Sequence, residues 1–275
     1  LEQTVCNGGT VSGIIFGGTG TGYSWTNDNT GIGLGASGTG NIGSFAGINT
    51  GSVPVTATVT VTPEYTFNGV TCTGTSQTFT ITVNPTPVVN DPTDQTVCNG
   101  SAVSGITFSG TGATGYSWTN DTPSIGLPGS GTGNIISFTG LNPGASAVTA
   151  TLTVTALHVN GGVSCIGNTQ TFTITIDPTP VVTDPADQTV CNGGSVSGIV
   201  FTGTGTVYNW TNSNTGIGLG ASGTGNIGSF TGINTGSVPV SSTLTVTPVN
   251  GSCIGASQTF TITVNPTPVA NDPLD

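Results

Sequence analysis

The sequence predicts an all-β protein of three tandem immunoglobulin-like β-sandwich domains, beads on a string. Three observations predict it: a repeat of about 91 residues, strands of alternating β-branched residues, and turn residues closing nearly every run. The repeat is marked by T-V-C-N-G at Cys6, Cys98 and Cys191, by Trp25, Trp118 and Trp210, and by Cys72, Cys165 and Cys253. Each unit ends in Q-T-F-T-I-T and then N-P-T-P or D-P-T-P, and units 1 and 3 share NTGIGLGASGTGNIGSF. This divides the chain into residues 1–89, 90–182 and 183–275. The period is too long for one turn of a solenoid and suits a small independent domain.

Within a unit the strands follow from periodicity. In VPVTATVTVTP (53–63) Val53, Val55, Ala57, Val59 and Val61 alternate with threonine and one proline, and in SQTFTITVNP (76–85) Phe79, Ile81 and Val83 alternate with threonine. Period two predicts half-buried strands with a threonine face toward water. Asn68-Gly69 is a turn joining them as a hairpin. VSGIIF (11–16) and GYSWTN (22–27) are shorter strands, the second carrying Tyr23 and the core tryptophan Trp25, as Trp118 and Trp210 do in the later units. Lysine, arginine and methionine are absent, and with 46 glycines and 16 prolines the chain has little from which to build a helix.

The six cysteines fit no zinc spacing, since there is no C-x-x-C and His158 is the only histidine. The economical expectation is one disulfide per unit, Cys6–Cys72, Cys98–Cys165 and Cys191–Cys253, the alternative being three pairs of buried free thiols. A loop of that length is worth about 4 kcal/mol on the chain-entropy account. It implies an oxidising, extracellular setting. No apolar run reaches transmembrane length and no signal peptide precedes Cys6.

Eleven acids stand against no lysine or arginine, a net charge of −11. Nucleic acid is excluded as a partner because nothing could neutralise phosphates, and anionic membrane surfaces for the same reason. Trypsin has no site, and lysine-dependent isopeptide crosslinks cannot form. GTGNIG (38–43 and 223–228) fits a dinucleotide loop by spelling only, lacking a βαβ context, and is expected to be a strand connection. His158 occurs in one unit alone and is expected on a surface loop, so no catalytic constellation is predicted and the protein is not expected to be an enzyme. The recurrent acids lie at the seams, Glu2, Asp91/Asp94, Asp184/Asp187 and Asp272/Asp275. Two carboxylates per seam, with Asp91, Asp94, Asp184 and Asp187 as ligands, make calcium the one cofactor to test; the simpler expectation is no cofactor and a stiff Asp-Pro turn.

Y-S-W-T-N, T-V-T-V-T-P and Q-T-F-T-I-T-V-N-P-T-P resemble the PKD-like and immunoglobulin-like repeats of very large secreted surface proteins of Bacteroidetes, among them the flavobacterial gliding-motility adhesin. The resemblance spans all three units and centres on Tyr23-x-Trp25, Tyr116-x-Trp118 and Tyr208-x-Trp210. It implies a stalk or adhesive filament at the cell surface, exported by type IX secretion. Its partners would be neighbouring repeats of one long chain, surface glycans or other filament subunits. The alternative function is a module whose own loops bind glycan or protein. Near-identity of units 1 and 3 favours the stalk, because separate specificities diversify loops. The closing NDPLD set before Gln3 regenerates the internal D-P-T-D-Q and D-P-A-D-Q junctions, so the 275 residues are expected to be three consecutive units of a longer array.

Overall fold

The computed structural model describes residues 2–270. The closing junction with Asp272 and Asp275 lies outside the described residues.

In the first unit the long strand Val55–Phe67 is the axis of the larger sheet. It pairs antiparallel with Gln77–Asn84 on one side and with Gly22–Asn27 on the other. Glu2–Cys6 adds at the far edge, parallel to Gln77–Asn84, with Cys6 beside Asn84. Ser37–Thr39 closes the opposite edge against Gly22–Asn27. The facing layer is thin, consisting of Thr10–Val11 paired with Phe45–Ala46 and a bridge between Ile14 and Ile42. VSGIIF therefore forms less strand than its composition suggests, while GYSWTN is a strand throughout. The same order recurs in the other two units.

Alternation decides what is buried. Ala57, Val59, Val61, Phe79, Ile81 and Val83 form the inner face, and the threonines between them point outward. Val53, which fits the same alternation on paper, lies before the strand and is exposed. Asn68 and Gly69 both take positive φ, 47° and 79°, as a two-residue hairpin turn requires. The G-x-G-x-x-G segments are strand connections: Gly40 and Gly225 turn the chain after Thr39 and Thr224.

Two buried asparagines per unit hold the loops that the glycines leave loose. Asn49 donates through Nδ2 to the carbonyls of Val53 and Val83, and Asn142 and Asn234 repeat this in their units. Asn27, Asn120 and Asn212 do the same for the short 3-10 turns. Asp28 and Asp121 fasten those turns to the long strand by accepting from the amides of Thr58 and Thr151. The Thr151 amide, then the Thr122 hydroxyl, holds the Asp121 carboxyl below its ordinary range. That contribution is complete above the ordinary carboxylate pKa and is lost as pH falls through the lowered folded value.

Trp118 and Trp210 are buried and Trp25 packs against its core half-exposed. Each ring lies over a glycine of the neighbouring strand: a Cβ at Gly38, Gly131 or Gly223 would stand 2.2–2.3 Å from the indole. Gly131→Ala is therefore expected to lower the stability of the second sandwich by about 1–3 kcal/mol, through displacement of Trp118. Denaturant melts followed by tryptophan fluorescence check it.

Candidate functional site

The chemistry-bearing residues gather where one sandwich meets the next. Disulfides join Cys6 to Cys165 and Cys98 to Cys253, across sequence separations of 159 and 155 residues. Cys72 and Cys191 are free and exposed. This corrects the expected pairing within units, Cys6–Cys72, Cys98–Cys165 and Cys191–Cys253. The reason is strand geometry. Cys6 lies beside Asn84, where the chain leaves the sandwich, whereas Cys72 pairs with Tyr65 at the far end of the long hairpin. Some eleven residues of strand separate the two levels, about 35 Å at about 3.3 Å per residue. A disulfide needs Cα atoms within about 7 Å. Stacking the units end to end brings the bottom cysteine of one to the top cysteine of the next, with Cα–Cα 5.5 Å at both joints.

The linker is the second part of the joint. Val88–Val89 forms a short antiparallel pair with Gly110–Thr111 of the second sandwich, and Val182 bridges Gly203 of the third. Val89, 1% exposed, belongs to the second core together with Phe108, Val154 and Phe172, and Val182 to the third. Structurally, then, the seam falls before Val88 rather than after residue 89: the last valines of one unit plug the core of its successor.

Glycines make room for this. A Cβ at Gly110 would stand 1.8 Å from the Val88 carbonyl oxygen and one at Gly203 2.1 Å from that of Val181. At Gly167 and Gly255 it would stand 1.8 Å from the carbonyl oxygens of Pro87 and Pro180. Both glycines lie two residues after a joint cysteine, in Cys165-x-Gly167 and Cys253-x-Gly255. Asn168 then clasps the linker, accepting from the Val89 amide at 2.7 Å and donating to its carbonyl at 3.3 Å.

Further contacts seal the first joint. Asn84 is fully buried and exchanges amide hydrogen bonds with Asn160 at the tip of the second hairpin. Gly161 of that tip packs on Thr4. His158 is not on a surface loop. It continues the inward alternation of Val148–Asn160, is buried, and its Nδ1 donates to the Gly112 carbonyl at 2.6 Å, where Gly112 faces Ser52 and Pro85 of the first sandwich.

The seam carboxylates have a mechanical task. Asp94 and Asp187 each accept, at 2.6 Å, from a backbone amide of the adjacent strand, Thr173 and Thr261. Asp91 and Asp184 are exposed. Among the described residues no three His, Cys, Asp or Glu side chains come together to hold a metal ion. The two carboxylates of a seam supply by themselves fewer oxygens than the six to eight that calcium takes. The described helices include none long and apolar enough to cross a membrane.

No protein-family model and no curated protein matches the sequence. Among solved structures the chain is similar to mouse protocadherin-24 EC1-3, at 13% identity over 97% of this chain and 96% of that one, with a TM-score of 0.42. It is also similar to mouse cadherin-23 EC22-24, at 11% identity over 97% and 96%, TM-score 0.38. The insect immune protein hemolin is 15% identical over 97% of this chain and 73% of its own, TM-score 0.32.

Two outcomes test the joint. Gly167→Ala is expected to expel the linker, exposing Val89 at a cost of about 2 kcal/mol and accelerating hydrogen exchange at its amide. Asp187→Ala is expected to cost about 1 kcal/mol by removing the acceptor for Thr261, while a chelator leaves the melting midpoint unchanged.

Proposed function

We propose that the chain is a structural segment of a long extracellular surface adhesin or filament, in which the units act as load-bearing spacers. The observation that carries this reading is the double fastening of each joint: a disulfide from one sandwich to the next beside a linker strand plugged into the next core. Domains that swing freely need only a flexible linker. A joint closed covalently and by strand addition transmits force and holds direction.

Cross-domain disulfides support an oxidising compartment. The absence of lysine and arginine removes trypsin-type cleavage sites, which suits a protease-exposed surface. The resemblance to the repeats of Bacteroidetes surface proteins supports adhesion or gliding motility as the setting, with type IX secretion as the route. The same glycine-rich loops in units 1 and 3 support a spacer over a glycan- or protein-binding module.

Pulling a single molecule by its ends tests the mechanical role. In the oxidised chain the two overlapping disulfides leave about a third of the contour length free to extend, at about 3.5 Å per residue, and reduction releases the rest. Equal extension with and without reductant would contradict the proposal, as would tight saccharide-specific binding on a glycan array.

A further inference from the structure

The first sandwich carries the acceptor half of a joint, and the third carries the donor half. On the first, the place taken elsewhere by the linker valine is a cavity of about 510 Å³ lined by Ile14, Phe16, Gly18, Tyr23, Val61 and Phe79. Their counterparts in the second unit, Ile106, Phe108, Tyr116, Val154 and Phe172, pack around Val89. The lining responds to the missing plug. Phe79 is 8% exposed where Phe172 is 2%, Val61 is 9% where Val154 is 0%, and Phe16 is half-buried where Phe108 is buried.

The slot is shaped for an incoming backbone that this unit does not itself supply. Gly18 holds φ at 143°, against 145° for Gly203, whose conformation admits the Val181 carbonyl. A Cβ on Gly18 would meet nothing nearer than the Tyr23 hydroxyl at 3.4 Å, and one on Gly74, of Cys72-x-Gly74, would meet Pro63 and no linker atom. Beside the slot, a second cavity sharing Thr19, Gly20 and Pro63 is lined by Cys72. That thiol occupies the position of Cys165 and Cys253.

The donor half repeats the internal linkers except at the last position, where Ala270 stands for Val89 and Val182. Asn192 donates through its side chain to Thr267 Oγ1 at 3.0 Å, as Asn7 does to Thr86 and Asn99 to Thr179, so the strand leaves the third sandwich in the same direction. Pro268, Val269 and Ala270 stand where Pro87, Val88 and Val89 do, and all three are exposed, Val269 to 85%. Cys191, the counterpart of Cys6 and Cys98, is free and exposed.

We propose, on the reading of these units as links of one array, that the slot at Gly18 and Gly74 takes the Pro-Val linker of another sandwich of this type and that Cys72 bonds to that sandwich's counterpart of Cys191; a second copy of these 275 residues, offering Pro268–Ala270 and Cys191, is the occupant tested. A glutathione-type disulfide supplies the oxidant. One cysteine thiolate attacks it, forming a mixed disulfide and releasing one glutathione thiolate; the other cysteine thiolate then attacks the protein sulfur of that bond and releases the second. Two protein thiols lose two protons and two electrons, and one glutathione disulfide becomes two thiols.

The test uses the 275-residue chain in a glutathione redox buffer, with non-reducing electrophoresis and mass mapping of peptic peptides. The expected result is a ladder of multimers held by Cys72–Cys191 bonds between copies. Cys72→Ser alone and Cys191→Ser alone each stay monomeric, whereas their mixture yields a dimer and nothing larger. Ala270→Val, which restores the valine of both internal plugs, raises the crosslinking rate severalfold, and Ala270→Asp lowers it tenfold or more. Homodimers of either single variant, a Cys72–Cys191 bond within one copy, the absence of any crosslink, or a rate indifferent to residue 270 would each overturn the proposal.

Discussion

The structure depends on one contact: the carbonyl oxygens of Pro87 and Val88, and of Pro180 and Val181, lying where a side chain would stand on Gly167, Gly110, Gly255 and Gly203. Only with those four positions bare can the linker lie flat on the next sandwich and its last valine reach the core. That seating fixes the distance between successive sandwiches. The fixed distance in turn brings Cys6 to Cys165 and Cys98 to Cys253. A disulfide between domains that tumbled independently would have to hold two mobile bodies together; here it closes over a joint that apolar burial has already positioned.

Much of the fold is legible in the residues. Threonine alternating with valine and isoleucine can bury only one face, so Val55–Phe67 and Gln77–Asn84 and their counterparts follow from local pattern. Asn68-Gly69 and Gly161-Gly162 turn as their φ freedom demands. Those features are local, and local physics determines them. VSGIIF is where pattern overstates the strand: its partner layer offers one two-residue pairing at Val11 and one isolated bridge at Ile14, and pairing is a property of two segments.

The joint was less legible, and the cysteines show why. Sixty-odd residues between Cys6 and Cys72 look like a loop to be closed, but separation along the chain carries no information about which end of a sandwich a residue occupies. A hairpin thirteen residues long in its first strand lifts Cys72 far from Cys6. The signal present in the sequence was glycine two residues after the second cysteine in every unit, Gly74, Gly167 and Gly255, together with T-P-V at the end of every unit. Each looks like turn or linker composition until both are placed in one contact. His158 is buried by the same alternation, which continues to the end of Val148–Asn160, where His158 still pairs with Cys165 after the pairing with Gly115–Asn120 has ended at Leu157; the wall it meets belongs to the joint.

The central claim is that these sandwiches are fastened to each other and not within themselves. Peptic digestion of the unreduced chain followed by mass spectrometry tests it most directly. Peptides containing Cys6 linked to Cys165, and Cys98 linked to Cys253, are the predicted result. A peptide linking Cys6 to Cys72 or Cys98 to Cys165 would contradict it.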